Sequence, residues 1–106
     1  MAVQKVAGLN PAEMGLLLGV FAKYPTLEKA VLFGSRSTGK HKPDSDVDLV
    51  LYGENLHFGV LFEMEDALYG AGFSLELDLL LHSIIQDERL LRSIDRTALV
   101  IYESLE

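Results

Sequence analysis

Apolar residues early in the chain recur with a helical period. Met14, Leu17, Leu18 and Phe21 stand at the i, i+3, i+4, i+7 positions of one buried stripe. Asn10-Pro11-Ala12-Glu13 supplies an N-cap, a proline at the first helical position and a glutamate three residues after the cap. The spacing predicts a helix that stops before Pro25. From Leu27 to Phe33 the pattern becomes a short apolar run ending at Gly34, which predicts a buried strand feeding a tight turn. The polar stretch from Gly34 to Ser45, with Pro43 near its end, predicts a loop holding at most one or two helical turns. Asp46 to Tyr52 alternates as a strand, with Val47, Leu49 and Leu51 on one face and Asp46, Asp48, Val50 and Tyr52 on the other.

Phe58, Leu61, Met64, Leu68 and Ala71 suit an amphipathic helix ending in the Gly70 to Gly72 region. Phe73 to Leu81 reads as a strand carrying Glu76 and Asp78. Ser83-Ile84-Ile85-Gln86 can open a last helix through a capping box, and Ala98 to Tyr102 reads as a final strand. Strands alternating with helices predict an α+β domain, a mixed β-sheet of about four strands with helices packed largely on one side. The link from the first strand to the second is hairpin-like and makes that pair antiparallel. At 106 residues the chain is expected to be one domain spanning 1–106, with one core and no separate lobe for a large substrate.

Composition narrows the function. The formal charge is −7, from 16 acidic and 9 basic residues, which argues against stable binding to duplex nucleic acid. There is no cysteine, so disulfides and thiolate metal sites are excluded. The first ten residues contain Lys5 and no signal-like apolar run, and no segment approaches a membrane span. The expectation is a soluble, cytoplasmic protein, folding alone or as a small homo-oligomer.

Candidate chemistry gathers in one stretch. Asp46 and Asp48, one residue apart on a strand, project from the same face with Cα atoms roughly 7 Å apart. Alone, such a pair more often marks a solvated strand, and Gly34-Ser35 alone more often marks a turn. Together they describe a glycine that lets backbone approach a phosphate, followed by carboxylates suited to a hard divalent cation such as Mg²⁺. Arg36, Lys40 and Lys42 are available as charge partners for a triphosphate. Gly34 to Lys40 also fits G-x-x-x-x-G-K, but position 41 is histidine where a phosphate-binding P-loop needs Ser or Thr, and Pro43 comes too soon for the helix such a loop feeds. His41 and His57 have no motif around them and read as surface residues.

The stretch Val31-Leu-Phe-Gly-Ser-Arg-Ser-Thr-Gly-Lys-His-Lys-Pro-Asp-Ser-Asp-Val-Asp-Leu-Val-Leu51 resembles the signature of the DNA polymerase β-like nucleotidyltransferases, above all the minimal ones. That signature is Gly-Ser, ten residues, then Asp-x-Asp, and Gly34-Ser35 and Asp46-Val47-Asp48 meet the spacing. The similarity extends more loosely through Asp78 to Val100-Ile101-Tyr102. One departure stands out: many relatives read Gly-Ser-x-Ala-Arg-Gly, and this chain has Thr38 at the second basic position.

The resemblance implies transfer of a nucleoside monophosphate from ATP or another nucleoside triphosphate to a hydroxyl. It implies Mg²⁺ held by Asp46, Asp48 and Asp78, with Glu76 as the rival third carboxylate, and phosphates held by Gly34, Ser35 and Arg36. It further implies an acceptor on a small all-helical HEPN-type partner, a nuclease toxin silenced by AMP on a tyrosine in toxin–antitoxin modules. Two other outcomes stay open from the sequence. One is an inactive module that inhibits such a partner by binding alone; the other is a transferase for a small-molecule hydroxyl.

Overall fold

A computed structural model of the protein describes residues 9–40 and 42–104. His41 and most of the opening segment fall outside that range, so the expectations placed on them are not addressed. The first helix, α1 (Pro11–Phe21), starts where the sequence puts it, with Asn10 Oδ1 accepting from the Glu13 N–H at 2.8 Å. The Glu13 carboxylate does not close the capping box; it accepts from the Ser74 hydroxyl at 2.8 Å, tying α1 to the segment before the third strand.

Strands β1 (Lys29–Phe33), β2 (Val47–Tyr52), β3 (Leu77–Leu81) and β4 (Leu99–Glu103) form one sheet in the order β3-β2-β1-β4. β1 runs antiparallel to both β2 and β4, and β2 runs parallel to β3. The mixed sheet follows from the connections. A short loop with one helical turn, α2 (Ser35–Thr38), returns β1 into β2. The helix α3 (Phe58–Gly70) carries β2 over into β3, as a parallel pair requires.

The alternation in β2 sorts the sheet into two faces. Val47, Leu49 and Leu51 are fully buried against α1 and α3, in a core with Leu17, Phe21, Leu32, Met64 and Leu68. On the other face, Phe33 and Val50 pack with Ile94 of α4 (Glu88–Thr97). Two helices thus cover one face and a single helix part of the other, where Asp46 and Asp78 remain exposed.

Two boundaries differ from the sequence pattern. The Ser83 capping box does not start a helix. A 3₁₀ turn over His82–Ile84 intervenes, and α4 starts at Glu88 with Asp87 as N-cap, its Oδ1 accepting from the Arg89 N–H at 2.9 Å. Aspartate caps as well as serine does, and its carboxylate also suits the positive helix end. β3 is shorter than the predicted strand because residues 74–76 are not yet paired as a strand. Among the described residues no helix is long and apolar enough to cross a membrane.

Candidate active site

The site begins with a turn that only glycine makes comfortably. Gly34 ends β1 at φ +81° and ψ −150°, and a Cβ placed there would sit 3.1 Å from Oδ2 of Asp48. The backbone at the end of β1 is thereby pressed against the Asp48 carboxylate. Hydrogen bonds at both its backbone groups hold Gly34 in place. Its N–H donates to Thr97 Oγ1 at 3.2 Å, and its carbonyl accepts from the Ser37 hydroxyl at 2.8 Å and the Thr38 N–H at 3.3 Å. Thr97 is held in turn by donating to the Ser93 carbonyl at 2.8 Å. Half-buried Ser35 opens the single turn of α2, which Gly39 closes in the left-handed conformation at φ +78°. With a helix of one turn, the loop is not a P-loop.

Asp48 lies opposite Asp78 in the parallel β2–β3 pairing, so both carboxylates project from one sheet face with strand axes about 4.8 Å apart. Asp46 stands two residues before Asp48, immediately ahead of β2. Partial burial pushes the Asp48 carboxyl above the usual carboxylate range, and the charges of Asp78 and then Asp46 push it further. Asp46 and Asp78 thus lie near enough for their charges to act on Asp48. Of the two rivals on the third strand, Asp78 is the residue in register with Asp48. Glu76 lies outside β3 and is exposed, and its backbone carbonyl accepts from the Val47 N–H at 2.8 Å. Among the described residues no three His, Asp or Glu side chains are already gathered closely enough to hold a metal ion.

Arg36, expected to face a phosphate, lies elsewhere. Its side chain is buried, at 1% exposure, and its guanidinium turns onto the carbonyls of the loop that leads to Asp46. Nε donates to the Ser45 carbonyl at 3.0 Å, and one terminal nitrogen donates to the carbonyls of Ser45 at 2.8 Å and Pro43 at 3.2 Å. A planar fork satisfying two carbonyls fixes the path of the chain just before the aspartates. Lys40 and Lys42 are exposed at the loop's rim. The Lys42 N–H donates to Ser45 Oγ at 2.8 Å, which narrows the same turn. Sequence reasoning missed Thr97 and the loop-holding role of Arg36. A threonine ahead of a last strand carries no signal of its own, and an arginine in a basic loop points first to phosphates.

A mixed sheet whose first strand ends in Gly-Ser beneath an Asp-x-Asp of the next strand defines a nucleotidyltransferase-type domain. A family-wide sequence model described as polymerase beta, nucleotidyltransferase matches residues 17–106, and the chain belongs to that family. No curated protein sequence matches it. Among solved structures, a toxin–antitoxin crystal structure with AMP-PNP contains a similar chain, at TM-score 0.68 and 22% identity, covering 92% of this chain and 76% of that one. A chain in the complex of the tri-AMPylated Shewanella oneidensis HEPN toxin with MNT antitoxin matches at TM-score 0.65 and 17% identity, over 88% of this chain and 71% of that one. A candidate nucleotidyltransferase from Sulfolobus solfataricus matches at TM-score 0.54 and 16% identity, over 85% and 76%. At such identities the likeness is one of fold.

Proposed function

We propose that the protein transfers AMP from ATP to a hydroxyl group of a partner protein, as the antitoxin-like member of a pair with a helical HEPN-type protein in the cytoplasm. The observation that carries this reading is the pairing of Asp48 with Asp78 across β2 and β3, with the charge of Asp46 acting on Asp48 and the Gly34 turn against its carboxylate. A carboxylate such as Asp48, with two further negative charges beside it, suits a hard cation, and Mg²⁺ completes its shell with phosphate oxygens and water. Asp46, Asp48 and Asp78 would hold it, and when bound it supplies charge stabilisation to the triphosphate. The toxin–antitoxin structures of similar fold, one with AMP-PNP and one with a tri-AMPylated toxin, support the choice of nucleotide and partner.

In the proposed step the acceptor oxygen attacks the α-phosphorus of ATP. The new O–P bond forms as the bond from the α-phosphorus to its bridging oxygen breaks, and pyrophosphate leaves. The hydroxyl proton passes to the Asp78 carboxylate, which is exposed and in register with Asp48 across the β2–β3 pair. Gly34 and Ser35 line the phosphate side, and Arg36 acts from below by holding the loop.

The test is transfer of label from α-labelled ATP to a purified HEPN-type partner in the presence of Mg²⁺. Transfer is expected with the unmodified chain and with Glu76→Gln, and is expected to vanish with Asp78→Asn. Absence of transfer from the unmodified chain that Asp48→Asn leaves unchanged sinks the enzymatic reading.

A further inference from the structure

The core accounts for the buried side of α3 but not for its aromatic residues. Leu61, Met64 and Leu68 face the sheet, while Phe58, Phe62 and Tyr69 are 51%, 57% and 42% exposed. Positions 58, 62 and 69 fall on one line of the helix, i, i+4 and i+11, running about 16 Å along its axis. The first two rings meet edge to face, with centroids 5.2 Å apart. The third marks where the line leads. The Tyr69 hydroxyl accepts from the Leu77 N–H at 2.8 Å, and Leu77 is the residue before Asp78. The stripe therefore follows the β3 edge of the sheet and ends at the backbone that presents the third carboxylate.

Charge decides what the stripe can receive. α3 carries Glu63, Glu65 and Asp66 and no basic residue, and Glu65 lies on the aromatic line between Phe62 and Tyr69. Among the described residues no lysine or arginine pairs with Glu65 or Asp66. A nucleic acid or an anionic membrane meets like charge there. A second copy docked by two-fold symmetry would set the same acidic stripe against itself. A helix with an apolar ridge flanked by lysine or arginine satisfies both the rings and the carboxylates.

We propose that the Phe58–Phe62–Tyr69 line of α3 is the docking surface for a basic amphipathic helix of the acceptor protein, seating it along β3 with its hydroxyl near Asp78. The link to an acceptor rests on the reading of the chain as a protein-modifying transferase; the docking chemistry is tested without nucleotide.

The full chain is titrated with two fluorescent helical peptides of about twenty residues sharing one leucine ridge, flanked by lysine in the first and glutamate in the second. The lysine peptide is expected to bind about tenfold tighter than the glutamate peptide. Joint Phe58→Ser and Phe62→Ser substitution is expected to weaken the lysine peptide about tenfold, and Glu65→Lys to narrow or reverse the preference. All three changes fall outside the core, and matching melting curves verify that the variants are folded. The proposal is overturned if neither peptide binds, if both bind equally, or if lysine-peptide binding ignores the two serines. It is equally overturned if the unmodified chain self-associates and the serines abolish this, which assigns the stripe to a second copy. Nucleotidyl transfer measured separately can fail with peptide docking intact, or succeed without it, so the two readings stand or fall apart.

Discussion

The two faces of one strand have opposite physical priorities. Along β2, Val47, Leu49 and Leu51 vanish into the core beneath α1 and α3, while Asp48 on the alternate side stays half-exposed next to two other carboxylates. The first face is apolar, close-packed and insensitive to pH. The second is thinly covered, holding Phe33, Val50 and Ile94 and then giving way to charge. Stability is concentrated on one side of a sheet a single residue thick, and that lets the other side carry mutually repelling groups.

The largest expected effect sharpens this contrast. On the proposed function, Asp48→Asn should reduce nucleotidyl transfer about a thousandfold or more, because it removes a charge that would hold Mg²⁺ at the triphosphate. The same change should raise Tm at pH 7. Since the folded protein holds the Asp48 proton more tightly than the unfolded chain does, its favourable contribution is complete below the ordinary carboxylate range and disappears as pH rises through the raised value. The unmodified chain should therefore lose stability relative to the Asn variant across that window, as melting curves at a series of pH values would reveal. A Tm difference that does not vary with pH would remove Asp48 from the cause.

On the opposite face, Leu49→Ala should destabilise by about 2–5 kcal/mol, the range for a fully buried leucine, with no special sensitivity to pH or Mg²⁺. Denaturant unfolding checks it. A loss under about 1 kcal/mol would mean that the α1/α3 face is loosely packed, and the comparison between the faces would fail.

Arg36 lies between the two regimes, because it is buried like the core yet serves the polar loop. Arg36→Met should cost about 2–3 kcal/mol by leaving the Ser45 and Pro43 carbonyls without their charged donor. Arg36→Lys should recover part of the stability and less of the activity, since an ammonium cannot reproduce the fork. Equal recovery of both would show that charge alone is needed there.

What the sequence made legible follows the same division. Elements with strong periodicity were plain: the α1 stripe, the alternation of β2 and the run of β1 all fall in the structure near their predicted positions. Gly34 and the Asp46-Val47-Asp48 unit could be paired across ten residues because a glycine turn and same-face carboxylates leave local traces. Phe58 fits the period of α3 but faces solvent, since periodicity marks a line on a helix without saying which lines are covered. Arg36 and the start of α4 were misplaced for a related reason. Burial of a charge and competition between two capping residues are settled by distant packing, and the local residues do not record it.

Thr97 gives the smallest and most discriminating expectation. Its hydroxyl accepts the Gly34 N–H and donates to Ser93, so it links the end of α4 to the turn beneath Asp48. Thr97→Val keeps the volume and removes one acceptor, for a stability loss of about 1 kcal/mol. If α4 only covers the sheet, activity should survive that change. If α4 also holds the Gly34 turn in register with the aspartates, transfer should fall severalfold while circular dichroism is unchanged and Tm drops only by the several degrees that such a loss implies, and Thr97→Ser, which keeps the hydroxyl, should restore transfer. The second outcome is expected, because Gly34 has no side chain with which to fix itself and its conformation is one that the unconstrained chain abandons readily.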